Sequence, residues 1–231
     1  VDRRQRQMCI RDRVFRSYIG MGYSNTEVPP VIMRNVLENP AWYTSYTPYQ
    51  AEISQGRLES LLNYQTLVKS LTGLDISNAS LLDEGTAAGE AMILALNCVK
   101  DKKRNVFLVD ENVLPQTLAV LQGRAMGFGI EVITSKLHDN GKATLPLEHK
   151  ERIMGVLVQY PDVNGTLVDW APLAKEVKEL GGLLIAATDL LALTMIKSPG
   201  EWGADVAVGN AGRFGVPPGY GGPQACLLYT S

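Results

Sequence analysis

The chain has 231 residues, of which 45% are hydrophobic and 20% are charged, and its formal net charge is -2 at pH 7. These values exclude a disordered or collagen-like polymer and a basic nucleic-acid binder, and no apolar stretch approaches the length of a membrane span. The three cysteines lack the paired spacing of a disulfide framework or a zinc site, so we expect reduced surroundings and no metal.

The two ends of the chain differ from the rest of it. Residues 1–13 form a basic run with little periodicity, without the serine-rich, acid-poor composition of a transit peptide. This run and residues 226–231 resemble translated sequencing-adapter read-through. We therefore predict non-native tails at 1–13 and 226–231 around one domain at 14–225.

The first part of that domain is predicted as loop and helix. An apolar stripe at helical spacing indicates one helix with a buried face, formed by Leu58, Leu61, Tyr64, Val68 and Leu71. Before it, the polar and aromatic segment 42–57 is a candidate wall of a binding site, and a loop packed on its own tyrosines is the alternative.

A glycine-containing turn, DEGTAAGEAM at residues 83–92, precedes the next helix, predicted from Gly85 to about Val99. Free N–H groups at a helix N-terminus can bind an anion when small residues allow close approach, and Gly85 and Thr86 supply an open backbone and a hydroxyl. The pattern favours a tight packing turn over a phosphate cradle, and both stay open at this point.

The remainder of the chain alternates between strands and helices. Short apolar runs predict strands at 106–109, 130–134, 155–160, 183–187 and 206–208, and helical patterns cover 115–126 and 170–180. This alternation predicts an α/β fold with a mostly parallel sheet covered by helices on both faces. Ligands of such sheets bind beyond the carboxyl ends of the strands, where Asp110, Asp162 and Asp189 fall. Both histidines lie in the polar stretch 137–152, which we predict as surface loop without chemistry.

Seven segments carry a family resemblance, in order from about residue 14 to 225. They are RSYIGMGY (16–23), YTPYQAEISQGRLE (46–59), NASLLDEGTA (78–87), ATDLLAL (187–193), PGEWGAD (199–205), RFGVP (213–217) and GYGGP (219–223). Together they resemble the N-terminal half of the glycine cleavage system P-protein, glycine dehydrogenase (decarboxylating).

The resemblance implies a fold-type I pyridoxal phosphate transferase architecture that the family builds twice, with the cofactor lysine in the C-terminal half. The equivalent spot here is Gly212 or Arg213, and neither can form an imine. Gly85 and Thr86 stand where phosphate donors would be and Asp189 where the acid partner of the pyridine nitrogen would be. We interpret all three as vestigial, with Asp189 a structural carboxylate, and assign this half no catalytic residue.

The implied reaction is pyridoxal phosphate-dependent decarboxylation of glycine, with aminomethyl transfer to the lipoyl arm of H-protein. This half is expected to complete the active site and the dimer through the candidate interface residues Tyr46, Tyr49, Gln50, Glu52 and Arg57. A non-catalytic scaffold that docks H-protein is the alternative. A self-sufficient aminotransferase-like enzyme would need a lysine after strand 206–208, and the chain has none. The family's location implies a mitochondrion for a eukaryotic source and the cytoplasm otherwise.

Overall fold

The computed structural model describes residues 18–43, 47–101, 103–139 and 141–217, and the backbone of 226–230. Its centre is a seven-stranded sheet with the strand order β1-β9-β8-β7-β6-β2-β3. The strands of this sheet and of a separate two-stranded pair are β1 (Ile76–Ser77), β2 (Val106–Asp110), β3 (Glu131–Ser135), β4 (His138–Asp139), β5 (Lys142–Ala143), β6 (Ile153–Tyr160), β7 (Leu183–Asp189), β8 (Val206–Asn210) and β9 (Cys226–Thr230).

The middle of the sheet is parallel, as the alternation of strands and helices predicts. Strands β3, β2, β6, β7 and β8 pair in parallel, and the described antiparallel pairs of this sheet involve β9 with β8 and with β1. Every residue of β6 is buried, because helices or loops cover both faces of the sheet. The predicted α/β fold with a mostly parallel sheet is confirmed.

Seven α-helices lie among the described residues. They are α1 (Pro30–Ile32), α2 (Pro40–Tyr43), α3 (Arg57–Thr72), α4 (Glu84–Cys98), α5 (Pro115–Ala125), α6 (Ala171–Glu179) and α7 (Pro199–Trp202). Two apolar clusters result, one on each face of the sheet, and α4 packs into the cluster built on Phe107, Leu157 and Ile185.

Small residues let helix α4 lie close to the sheet. Its alanines at 87, 88, 91 and 95 are fully buried. Gly155 of β6 faces this helix, where an added Cβ would come within 2.9 Å of the Phe107 ring and 3.1 Å of the Ala95 Cβ. This close packing fixes the N-terminus of α4 beside the carboxyl ends of β6 and β7.

Helix α3 follows its predicted stripe only in part. Val68 is fully buried, and Tyr64 and Leu71 pack against the other apolar cluster. Leu58, however, is 54% exposed, so the first turn does not contribute to the core. An apolar stripe identifies the face of a helix but not how far the neighbouring elements extend along it.

The predicted tail 226–231 overlaps strand β9, which pairs with β8 along five residues. Residues 1–13 lie outside the described residues. The assignment of both ends as non-native stays a prediction.

The segment before α1 crosses the carboxyl edge of the sheet. Gln116 of α5 donates to the carbonyl of Met21 at 2.6 Å, and the Thr26 hydroxyl donates to the carbonyl of Val216 at 3.0 Å. An added Cβ at Gly22 would lie 2.9 Å from a Leu114 methyl, so the backbone passes close to α5. Residues 20–27, the N-terminal arm, thereby wall off the space beyond the strand ends.

Candidate functional site

A cavity of about 390 Å³ lies between the N-terminal arm and the carboxyl ends of the central strands. This is the position at which ligands of open α/β sheets bind. Its lining combines the arm, the N-terminus of α4, the ends of β6, β7 and β8, and the turn after β8. Polar side chains of this lining include Glu84, Gln159, Asp162, Thr188, Asp189 and Arg213.

Glu84 is the first residue of α4 and lies at the wall of this cavity. The Gln159 amide faces its carboxyl, with Nε2 3.5 Å from Oε1. Burial raises the pKa of Glu84 to about 7; Gln159 opposes that rise, while the negative charges of Asp189 and Asp83 add to it. Near neutral pH this carboxyl therefore exchanges between its neutral and ionised forms.

Asp189 ends β7, and Arg213 lies in the short 3-10 turn Gly212–Phe214 that follows β8. The Arg213 guanidinium donates to Asp189 Oδ2, and the Leu191 N–H donates to Asp189 Oδ1 at 3.1 Å. Both side chains retain some exposure to the cavity. Arg213, one of the two positions at which the family resemblance places a lysine equivalent, thus carries a guanidinium held on the aspartate.

Gly85 and Thr86 serve the start of α4 itself. The Thr86 N–H donates to Asp83 Oδ1 at 2.6 Å, which is the N-cap bond of the helix. Gly85 is buried against α5, where an added Cβ would lie 3.2 Å from a Val120 methyl. Gly85 also lines an adjoining cavity of about 320 Å³ with Asp83 and Glu84. These contacts are those of a packing turn with a carboxylate cap.

Of the candidate interface residues, Tyr46 lies outside the described residues, and the others are absent from the lining of the main cavity. Tyr49 is 73% exposed, and Gln50 and Glu52 are exposed as well. Arg57 begins α3, where its guanidinium lies 4.3 Å above the Trp42 ring and donates to the Ala41 carbonyl. The described part of this segment is thus directed at the surface of the domain.

A second polar cluster lies deeper, beside the ends of β2 and β6. His138 Nε2 is 3.6 Å from Asp162 Oδ2 and 3.1 Å from the Asn112 amide, and its ring meets Trp170 edge to face. The His138 side chain is 11% exposed, so the expectation of a surface histidine is wrong for this residue. The strand pair β4–β5 folds it inward, which its polar neighbours in the sequence do not reveal.

Sequence reasoning missed Glu84, Gln159 and Thr188 as members of the cavity. Gln159 and Thr188 are polar residues near the ends of otherwise apolar buried strands, and that pattern could have signalled them. Glu84 gives a weaker signal, because an acidic residue in the first turn of a helix is common for electrostatic reasons alone. No group of three or more metal-ligating side chains occurs in the described part of the chain, and no helix there is long and apolar enough to cross a membrane.

Comparison with known proteins decides the family. The protein-family model described as Glycine cleavage system P-protein matches residues 1–231. The chain belongs to the glycine cleavage system P-protein family. The family prediction made from the seven segments is therefore confirmed.

Curated members of the P-protein family are similar along nearly the whole chain. Glycine dehydrogenase (decarboxylating), mitochondrial, of Solanum tuberosum is 57% identical over 225 residues, which cover 97% of this chain and 21% of that protein. Glycine dehydrogenase (decarboxylating) of Paraburkholderia xenovorans is also 57% identical, over 96% of this chain and 22% of that protein. The chain thus spans about a fifth of these relatives.

Solved structures of related proteins are also similar to this chain. A crystal structure of glycine decarboxylase (P-protein) in inhibitor-bound form matches with a TM-score of 0.84 and 35% identity, over 98% of this chain and 51% of that one. Cystathionine gamma-lyase from Lactobacillus plantarum, 13% identical, matches over 74% of this chain and 42% of that one, with a TM-score of 0.56, and shows the fold alone. The predicted fold-type I architecture of this P-protein family chain is confirmed.

Proposed function

We propose that this chain is part of a glycine dehydrogenase (decarboxylating), in which it completes the active site and the dimer while the C-terminal half, or a second subunit, holds pyridoxal phosphate. Its similarity to P-proteins along its whole length supports the reaction. Because it spans about a fifth of those relatives, the activity belongs to the larger protein.

The observation that carries this division of labour is the Arg213–Asp189 pair. An imine-linked cofactor needs a lysine amine, and no lysine lines the cavity among the described residues. Arginine stays protonated and cannot replace it. The guanidinium also engages the aspartate that would otherwise face a pyridine nitrogen.

The residues at the N-terminus of α4 are also unsuited to binding the phosphate group of the cofactor. The Thr86 N–H, a candidate anion donor, is committed to Asp83. The neighbouring Glu84 carboxyl adds negative charge whenever it is ionised, which opposes a phosphate at this helix terminus. The residues of this chain therefore do not fit pyridoxal phosphate, and Gly85, Thr86 and Asp189 are vestigial in this proposal.

When bound elsewhere in the enzyme, pyridoxal phosphate supplies the electron sink for decarboxylation. This chain would contribute walls that exclude water and orient glycine or the lipoyl arm of H-protein. Exposed apolar side chains at its surface support a large contact with the remainder of the enzyme. Examples in the first third of the chain are Tyr18, Ile19, Tyr49, Ile53, Leu58 and Leu62.

A second role is favoured by the exposure of the candidate interface segment. Tyr49, Gln50 and Glu52 project from the domain instead of lining its cavity. A scaffold that only docks H-protein would use such a surface.

In either role, the cellular location depends on the source organism. We propose a mitochondrial location in a eukaryote, because the relatives from Solanum tuberosum and Schizosaccharomyces pombe are named mitochondrial. In a bacterium we propose the cytoplasm.

The test is borohydride reduction of the complete enzyme, followed by peptide mapping and by an assay of glycine decarboxylation. We expect glycine-dependent release of carbon dioxide and one reduced lysine outside residues 14–225. A reduced lysine inside this range, such as Lys197, would overturn the degenerate assignment. Absence of glycine decarboxylation in the cofactor-loaded enzyme would overturn the proposed reaction.

A further inference from the structure

The main cavity contains buried polar atoms without partners. Gln159 is 7% exposed and Thr188 is 1% exposed, and both line the cavity. Gln159 Oε1 and Thr188 Oγ1 have no hydrogen-bond partner among the described residues. Buried polar groups are paired in the large majority of native proteins, because an unpaired one costs about 1–3 kcal/mol. These two atoms therefore indicate that the cavity binds a ligand that supplies hydrogen-bond partners.

The charges of the residues that line the cavity indicate whether a bound group would be a cation or an anion. Among the described residues that line the cavity, the ionisable carboxyls are Glu84, Asp162 and Asp189, and the cationic side chain is Arg213. Arg213 already donates to Asp189, and Glu84 has no cationic partner among the described residues of this wall. An anion would meet net negative charge, whereas a cation would neutralise it.

The hydrogen-bond acceptors of the lining distinguish between classes of cation. A glutamine carbonyl and a carboxylate are both acceptors. Gln159 directs its amide nitrogen at the carboxyl, with Nε2 3.5 Å from Glu84 Oε1, and the carbonyl oxygen of the same amide has no partner among the described residues. A primary ammonium group carries three N–H donors and no acceptor, so it satisfies both at once. A quaternary ammonium has the charge but lacks the donors.

We propose that this cavity binds a primary ammonium group between Gln159 and Glu84. The inference is independent of glycine decarboxylation, since it rests on the lining of this domain alone. The ammonium has two possible sources with the same chemistry: a free small amine, or a lysine side chain from the part of the enzyme beyond this chain.

Binding of an ammonium group is linked to the protonation of Glu84. The charges of Asp83, at the N-cap of α4, and of Asp189 on β7 favour the neutral carboxyl. Arg213 after β8 neutralises part of the charge of Asp189, and Gln159 on β6 donates to the ionised form of Glu84. A bound cation favours the ionised form. Uptake at pH 6 should therefore release a proton from Glu84, and affinity should rise as pH increases from 6 to 8.

The experiment is calorimetric titration of methylammonium chloride into the complete enzyme stripped of pyridoxal phosphate, in buffers of different ionisation enthalpy. We expect saturable binding with proton release at pH 6, weakened about tenfold or more in Glu84→Gln and in Gln159→Met. The matched control is Glu90→Gln on the same helix, whose carboxyl pairs with Arg124 at 2.7 Å and does not line the cavity. Tetramethylammonium should not bind.

If the ammonium is a lysine of the same enzyme, methylammonium will not bind to the wild type. That lysine should then resist acylation in the wild type and react in Glu84→Gln but not in Glu90→Gln. Absence of both methylammonium binding and a protected lysine would overturn the proposal. Equal methylammonium binding by the wild type and both cavity variants would also overturn it.

Discussion

At the scale of single residues, the cavity is organised around charges whose partners come from distant parts of the chain. Asp189 ends β7 and Arg213 follows β8, and they meet because these strands are parallel neighbours. Glu84 of α4 lines the same cavity, and its carboxyl faces the amide of Gln159 on β6. The partly exposed Arg213–Asp189 ion pair contributes about 0–1 kcal/mol to stability. Its main consequence is therefore that it determines which charged groups face the cavity.

Glu84 also predicts a pH dependence of stability. Its pKa is raised from 4.5 to about 7, chiefly by burial, so the folded state binds more protons than the unfolded state between these values. The free energy of unfolding should therefore decrease as pH rises from about 4.5 to about 7. Glu84→Gln should remove this part of the slope and stabilise the protein by about 1–3 kcal/mol at pH 8, with the partial exposure of the residue favouring the lower end.

Urea unfolding of the complete enzyme at pH 5 and pH 8 measures this effect. Glu90→Gln on the same helix, whose carboxyl pairs with Arg124 and does not line the cavity, serves as the control and should retain the decrease attributed to Glu84. A Glu84→Gln variant with the same pH dependence as the wild type would show that the carboxyl is ionised in the folded state at pH 5.

At the scale of elements, close backbone approaches position the helices on the sheet. Helix α3 ends at Thr72, and its C-cap Gly73, which has φ of +70°, lies against the start of α7. A Cβ added to Gly200 of α7 would lie 2.1 Å from the Gly73 carbonyl oxygen. No side chain fits there without moving one helix, so this contact fixes α3 relative to the core.

Gly200→Ala should therefore lower the free energy of unfolding by about 2–3 kcal/mol, since the clash is with backbone and not with a flexible side chain. Gly123→Ala within α5 is the matched control, because nothing lies within 4 Å of its added Cβ. That substitution should be neutral or stabilising by up to about 1 kcal/mol, as expected for alanine in a helix interior. Chemical denaturation of both variants decides the matter, and equal stabilities would contradict the packing of α7 on α3.

At the scale of the whole molecule, two apolar clusters cover the sheet, while many large apolar side chains within residues 18–43 and 47–67 stay exposed. Residues 18–43 and 47–53 contribute no member to either cluster. The buried Ser54 follows them, and its hydroxyl donates to the Thr47 carbonyl at 2.5 Å. Such a surface is typical of a part that is covered in a larger assembly. The interface role proposed for segment 42–57 belongs to this scale.

Arg57→Ala in the complete enzyme tests that role. The change removes the stacking on Trp42 and the hydrogen bond to the Ala41 carbonyl. If the segment shapes a shared pocket, glycine decarboxylation should decrease about tenfold while the free energy of unfolding changes by less than about 1 kcal/mol. Arg34→Ala, an exposed arginine of the same region, is the control. Unchanged turnover in Arg57→Ala with weaker binding of H-protein would favour the scaffold instead.

The sequence by itself determined the order and type of the central elements. The strands predicted at 106–109, 155–160 and 183–187 all exist, each extended by one or two residues, because continuous apolar runs of strand length have few other ways to be buried. The helix from Gly85 exists as well, starting one residue earlier at Glu84. The family also followed from the sequence, since long motifs in a fixed order are specific.

Only the tertiary structure decided which polar groups meet. Glu84, Gln159, Asp189 and Arg213 are separated by up to 129 positions, and no local pattern brings them together. Their convergence follows from parallel strand pairing, which gathers carboxyl ends at one edge, and from the small residues that seat α4 there. The inward position of His138 follows instead from the antiparallel strand pair β4–β5. Local propensity is encoded in neighbouring residues, whereas charge pairing and burial depend on contacts that exist only after the chain has folded.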